Sequence, residues 1–220
     1  MLKSLNTRDR LVDSGRYLFW ERGFAGTSMA ELLAHAGVNS GSFYYFFESK
    51  EDLLRAVLEA YVKALRPMIV DPAFARTNDP VERIFAILSG YRERILQADC
   101  TYGCPLGRLA LEIDPENRPA HELIAENFQN WIGGVRECIE QIKDQLPKTT
   151  DPDALSTYVL AVMEGGVMLS RSCGSVEPFD RVINQLHEHF RFLLTSRQDR
   201  YRKPTAESKG QRRKKRGDIR

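Results

Sequence analysis

The chain predicts an all-α protein: a three-helix helix-turn-helix head followed by a helical-bundle body, with about nine helices in all. Three observations carry this. Apolar residues recur at helical spacing in one segment after another, as one buried stripe per helix requires. Between these segments stand Ser, Asn, Asp-Pro and Gly, the residues with which helices start and stop. No stretch alternates apolar and polar residues at strand length, and no internal repeat occurs.

The first helix is expected from about Thr7 to Arg22, with Leu11, Leu18 and Phe19 facing inward and Tyr17 and Trp20 near the edges of that stripe. Gly23 ends it and Phe24 anchors the chain back onto the core. Arg8 and Arg10 either reach a nucleic-acid backbone or belong to a solvated face. The stretch Thr27–Lys50, TSMAELLAHAGVNSGSFYYFFESK, organises the rest. Thr27 or Ser28 caps a helix, and Glu31 stands three residues after Ser28, as a capping box requires. Met29, Leu32, Leu33 and Ala36 form its inner face, and Gly37 stops it. Val38 plugs the turn. Asn39 or Ser40 then caps a second short helix with Phe43 and either Phe46 or Phe47 inside. Two short helices joined by a glycine-containing turn make a helix-turn-helix, here about 27–46.

The outer face of that second helix carries Ser40, Ser42, Tyr44 and Tyr45 rather than Glu and Lys. Hydroxyls of this kind suit phosphates and base edges. Ser49 opens a further helix, about 50–65, whose first-turn amides and Lys50 form a phosphate clamp. Its buried face is Leu53, Leu54, Val57, Leu58, Tyr61 and Leu65, and Pro67 is expected to end it. Because this helix joins head to body, its tilt is a route for a signal.

Residues 66–79 read as a broken connector. Helices follow at about 80–98, 105–113, 119–146, 152–171 and 178–196. Tyr91, Tyr102, Phe128, Trp131 and Met163 either line an apolar pocket or belong to an ordinary core. Gly165 and Gly166 allow close approach of another helix. With Val182, Leu186 and Phe190 they mark the expected homodimer surface. Cys104 precedes Pro105 at a helix start, where a thiolate is stabilised; it is either a sensor of oxidants or electrophiles or a small buried hydrophobe.

Net charge is only +2, but it is unevenly spread. Residues 197–220 hold 11 Lys and Arg against 3 Asp and Glu, and read as a disordered basic tail. Residues 51–196 hold 15 against 22, and residues 1–50 hold 6 against 5. The block Arg212–Arg216 either touches phosphates or only solubilises. No apolar run reaches the roughly 18 residues that span a bilayer. Nothing at the start resembles an export signal. Four cysteines in this length make no disulfide framework, so a cytoplasmic setting without membrane contact is expected. His35, His121, His187 and His189 form no i, i+4 pair suited to a metal. No phosphate loop or nucleophile elbow occurs, so no metal site, cofactor or catalytic residue is expected. Glu112, Asp114 and Glu116 fit a solvated loop.

The run Gly23–Leu53, GFAGTSMAELLAHAGVNSGSFYYFFESKEDL, resembles the DNA-binding domain of the TetR family of bacterial transcriptional regulators, over roughly residues 7–65. The resemblance implies a repressor that binds a palindromic double-stranded operator as a homodimer and is released by a small apolar or electrophilic effector. It assigns residues 7–65 to the head and 66–196 to ligand binding and dimerisation. Tyr44 and Lys50 match the family's phosphate-contacting tyrosine and lysine, Thr27 its threonine at the start of the second helix, and Gly41 its small recognition-helix residue. Ser28, Ser40, Ser42 and Tyr45 fall where DNA contacts occur. The segment Tyr102-Gly103-Cys104-Pro105-Leu106, followed by Leu109-Ala110-Leu111-Glu112, resembles a subgroup that includes a repressor responsive to N-ethylmaleimide and related electrophiles. Cys104 matches its sensor cysteine, and Arg171 stands in place of a lysine. An activator of the same fold, or a helical scaffold that binds no DNA, are the alternatives.

Overall fold

The computed structural model describes residues 6–201, and among them every regular element is helical. Each helix of the head starts on a side-chain cap. For α1 (Thr7–Arg22), Asn6 Oδ1 accepts the Asp9 N–H at 2.9 Å. For α2 (Met29–Ala36) the capping box is complete: Ser28 Oγ accepts the Glu31 N–H at 3.2 Å and Glu31 Oε2 accepts the Ser28 N–H at 2.9 Å. Gly37 closes α2 at φ 63°, a left-handed conformation that a side chain would strain. Asn39 caps α3 (Ser40–Phe46) through the Ser42 N–H, and Ser49 caps α4 (Lys50–Leu65) through the Asp52 N–H. Each such cap contributes about 1 kcal/mol.

Pro67 does not end the helical path. One π-turn, Arg66–Val70, carries the backbone into α5 (Asp71–Arg76). Pro67 and Pro72 give no N–H to the preceding turn, and the π-turn at Arg66–Val70 lets the helical path pass them. Ile69, Val70 and Ala73 are buried and give the segment its own apolar face. The expected connector is therefore an extra helix. The body continues with α6 (Pro80–Gln97), α7 (Pro105–Glu112), α8 (Arg118–Gln141, then a 3₁₀ turn at Lys143–Gln145), α9 (Pro152–Cys173) and α10 (Glu177–Tyr201). The last helix runs past its expected end at 196, and the basic block Arg212–Arg216 lies outside the described residues.

Two apolar cores result. One holds Leu11, Leu18, Phe19, Leu32, Phe43 and Phe47 of the head with Leu53, Leu54, Val57 and Leu58 of α4. Phe46, the alternative inner residue, is 37% exposed. Phe47 takes the inner place because it leaves the helix in an extended conformation and turns back beneath Phe43. Leu109, Ile113, Ala120 and Ile124, from α7 and α8, belong to this same core. The second core packs α6, α8, α9 and α10 around Ile84, Leu88, Val135, Ile139, Val159 and Phe179. A fully buried Leu, Ile or Phe contributes about 1.5–3 kcal/mol, so both cores are substantial.

The expected dimer residues need correction. Leu186 and Phe190 are wholly buried inside the protomer. A Cβ on Gly166 would lie 2.9 Å from both Phe179 and Val182, so this glycine serves the close approach of α9 and α10 within one chain. Gly165 has nothing within 4 Å of a Cβ, and it and Val182 are half-buried. The exposed apolar residues of the hairpin are instead Tyr158, Met168 and Leu169 of α9 and Phe192 of α10, the last 67% exposed. Gly166→Ala is therefore expected to lower unfolding free energy by about 1–3 kcal/mol through overpacking. Gly90→Ala, at a helical glycine with open space around it, is expected to raise it by up to about 1 kcal/mol. Urea denaturation at one fixed protein concentration checks the pair.

Candidate functional site

The helix-turn-helix presents one continuous hydroxyl-rich surface. Ser28, Ser40 and Gly41 are exposed, Ser42 is half-exposed, and Tyr44 and Tyr45 stand out at 61% and 82% exposure. Tyr44 is held edge-on against the buried Phe43 ring, at 5.2 Å between centroids. Thr27 does not join this surface. It is 0% exposed, and its hydroxyl donates to the Gly23 carbonyl at 2.7 Å. Its role is to fold the chain between α1 and α2, a turn that buries a β-branched residue with its only polar atom satisfied. Lys50 is held from the same turn: its ammonium donates to the Thr27 carbonyl at 2.6 Å and lies 4.3 Å from the centroid of the Phe24 ring. An ammonium has three N–H donors, so two remain for an anion.

The end of α1 is gripped by α7. Glu112 accepts the Phe24 N–H at 3.0 Å and the Ala25 N–H at 2.6 Å, the donors being the first amides past the Gly23 cap. Arg108, one turn earlier on α7, donates to the carbonyls of Trp20 and Glu21 at 3.3 and 3.0 Å. Trp20 Nε1 donates to the Gly103 carbonyl at 2.7 Å, and the Tyr102 hydroxyl donates to Glu21 Oε1 at 3.2 Å. Glu112 is thus a head–body contact and not part of a solvated loop. The chain reaches this position through Asp99 and Cys100, two non-glycine residues in the left-handed region at φ 47° and 55°. Such residues cost about 1–2 kcal/mol each, which the contacts beyond them offset.

Beside this joint lies a cavity of about 760 Å³. Its walls come from α1 (Asp13, Arg16, Tyr17, Trp20), the end of α4 (Tyr61, Leu65), α6 (Tyr91, Arg94, Ile95) and the segment 102–106. Tyr91 and Tyr102, of the expected pocket residues, line it, and so does Cys104, which the sequence marked only as a sensor or a small buried hydrophobe. Phe128, Trp131 and Met163 do not: Trp131 and Met163 are buried in the body core, and Phe128 packs between the two cores. Trp20, Tyr61 and Arg16 were missed because they sit on head helices, which sequence periodicity assigned to the DNA-reading unit alone.

Cys104 caps α7, its sulfur accepting the Gly107 N–H at 3.5 Å. That contact favours a thiolate, yet burial outweighs it, with the nearby Glu164 carboxylate adding to the rise, so the thiol stays well above its ordinary pKa. Burial also raises Glu164. Arg171 is exposed and leans on Gly103, its Cδ 3.6 Å from where a Cβ would stand; it is not among the groups that act on the thiol. At Cys104 the helix start favours the thiolate and desolvation opposes it, with the balance toward the neutral thiol.

A capped, two-helix reading head with a hydroxyl face, joined to a helical body beside an open cavity, defines the class of helix-turn-helix transcriptional regulators. The comparisons give the family. A model described as bacterial regulatory proteins, tetR family, matches residues 11–57, and one described as tetracyclin repressor-like, C-terminal domain, matches residues 80–186. The chain is 32% identical over 184 residues to the HTH-type transcriptional repressor NemR of Escherichia coli, covering 81% of this chain and 90% of that protein. It is 27% identical over 183 residues to the HTH-type transcriptional repressor DhaR of Mycobacterium sp. strain GP1, covering 82% and 90%. The crystal structure of a regulatory protein TetR from Rhodobacter sphaeroides superposes with a TM-score of 0.76 at 20% identity, over 83% of this chain and 98% of that one. The chain belongs to the TetR family of DNA-binding transcriptional regulators, whose members act as dimers. No helix among the described residues is long and apolar enough to cross a membrane.

If Glu164 and burial together hold the Cys104 thiol neutral, Glu164→Gln removes one of the two. Alkylation of Cys104 by N-ethylmaleimide at about pH 8, near the ordinary thiol pKa, is then expected to run several-fold faster than in the wild type. Peptide mass mapping over time checks this, and an unchanged rate at Cys104 would show that the carboxylate does not govern the thiol.

Proposed function

We propose that the chain is a homodimeric repressor that holds a palindromic operator in the cytoplasm and releases it when a small molecule fills the cavity beside α1. The observation that carries this is the shared wall: Asp13, Arg16, Tyr17 and Trp20 line the cavity and belong to the first helix of the reading head. A ligand there touches the head itself. It acts through whatever difference in affinity it has for the DNA-competent and released arrangements.

In this reading, residues 7–65 are the head and 66–196 the effector and dimer unit. Ser28, Ser40, Gly41, Ser42, Tyr44, Tyr45 and Lys50 form the DNA surface, and Thr27 supports Lys50 through its carbonyl. The α3 helix has 7 residues and makes few base contacts, so two copies about one DNA turn apart are needed. The exposed Tyr158, Met168, Leu169 and Phe192, with the half-buried Gly165 among them, give a second protomer an apolar face. The effector state sets the two heads at a spacing that no longer matches successive major grooves. The repressor sign rests on the likeness to proteins that are themselves repressors.

A second reading of the signal rests on Cys104, which lines the cavity and caps the helix that grips α1. An electrophile added to its sulfur would occupy the same space. The neutral thiol makes this a slow, covalent version of the same release.

A gel shift on the DNA upstream of the chain's own gene tests these statements together. Tyr44→Ala and Lys50→Ala are each expected to weaken binding, with the salt dependence reduced by about one phosphate contact for Lys50→Ala, while light scattering still reports a dimer. Undiminished binding in both variants contradicts the DNA surface. Cys104→Ser is expected to bind DNA normally and to resist release by N-ethylmaleimide. Release as in the wild type leaves the non-covalent signal alone.

A further inference from the structure

We propose that the cavity between α1 and α6 binds a planar aromatic carboxylic acid, its carboxylate held by Arg94 and its ring system enclosed by aromatic side chains of both head and body. The proposal rests on the effector reading above and names the chemistry of the ligand.

The walls decide the body of the ligand. Rings of Trp20 and Tyr102 meet at 4.7 Å between centroids, and Tyr17, Tyr61 and Tyr91 complete the lining with Leu65 and Ile95. A space of about 760 Å³ bounded this way suits a drug-sized aromatic compound.

The hydrogen-bond balance decides the head group. Three acceptors on the α1 side of the wall are already engaged. Asp13 pairs with Arg16 at 3.6 Å, the Gly103 carbonyl takes the Trp20 N–H, and the Arg16 carbonyl takes the Tyr61 hydroxyl at 3.4 Å. Donors are left over. Arg94 lines the cavity and has no carboxylate within 4.0 Å among the described residues. The Tyr91 hydroxyl donates to no acceptor among them. Behind Tyr91, with ring centroids 6.2 Å apart, Trp131 is buried in the body core, and its Nε1–H acts on the Tyr91 hydroxyl rather than on the cavity. A guanidinium presents a fork shaped for a carboxylate. A ligand completes this site by bringing acceptors and negative charge. An amine would bring further donors to the same place and meet Arg94 with like charge. Arg16 is less free than Arg94, because Asp13 pairs with it and its guanidinium lies 5.1 Å from the centroid of the Tyr61 ring.

The test uses the full-length protein with three probes of one shape: naphthoate, naphthamide and naphthylmethylamine. Binding is read from tryptophan fluorescence, since Trp20 lines the cavity and Trp131 stands behind Tyr91. Naphthoate is expected to bind saturably, and naphthamide at least about tenfold more weakly, the size of one charge-assisted hydrogen bond. The amine is expected to be weaker still. Arg94→Gln should erase the difference between acid and amide while leaving amide affinity unchanged. The exposed position of Arg94 makes misfolding no concern, and circular dichroism verifies this. Equal binding of acid and amide, a difference that persists in Arg94→Gln, or no saturable acid binding at millimolar concentration overturns the proposal. A parallel gel shift separates it from the reading it rests on. Acid binding without operator release supports the ligand class and removes the effector role. Operator release by uncharged aromatics, with no preference for the acid, keeps the effector role and overturns the ligand class.

Discussion

Two backbone amides past the end of α1, those of Phe24 and Ala25, take their acceptor from a carboxylate more than eighty residues away, and much of this molecule's organisation follows from that contact. Glu112 reaches them because Gly23 leaves room: a Cβ there would run into the carboxylate, and its φ of 86° suits glycine alone. Arg108 adds the complementary half by donating to the last carbonyls of α1. The helix end is thus satisfied on both its orphan carbonyls and its following amides by one turn of α7. Charge-assisted bonds of this kind contribute about 1.5–3 kcal/mol each, enough to make head and body move as one unit at that point.

The consequence is mechanical. The short α7 starts on Cys104 and ends on Glu112, so one end faces the cavity and the other holds the reading head. α4, the covalent link, passes through the same core as Leu109, Ile113 and Ile124. A change in the cavity therefore has two connected paths to α3: along α4, and across α7 to α1. Interfaces packed this tightly respond by switching between arrangements rather than by bending. The left-handed pair at Asp99 and Cys100, immediately before this segment, adds a local strain that a rearrangement can relieve.

How much of this the sequence revealed depends on the range of the interaction. Caps at Ser28, Asn39 and Ser49, the Gly37 stop and the apolar stripes were legible, because each is set by residues within one turn. The family was legible for the same reason, since its motif is a chain of local signals. Long-range partners were not. Glu112 looked like one acidic residue among three, and only folding brings it to Phe24. Thr27 looked like a surface cap, and its burial depends on the path of α1. Leu186 and Phe190 carry the periodicity of a helix face, but periodicity cannot say whether that face meets its own protomer or another. Cys104 had the position of an activated thiol; the opposing desolvation and Glu164 come from α9, sixty residues on. The aromatic cavity was half legible, because its body residues sit on expected stripes and its head residues belong to helices that seemed to have another task.

The measurement that tests the account most directly is hydrogen exchange at the amides of Phe24 and Ala25 in the full-length protein, resolved by NMR. If Glu112 holds α1, both amides exchange slowly although Ala25 is exposed, and Glu112→Ala raises both rates together without altering exchange in the α2 capping box at Ser28 and Glu31. Exchange of Phe24 and Ala25 at the rate of an open loop in the wild type would contradict the account, because the head would then be free of α7.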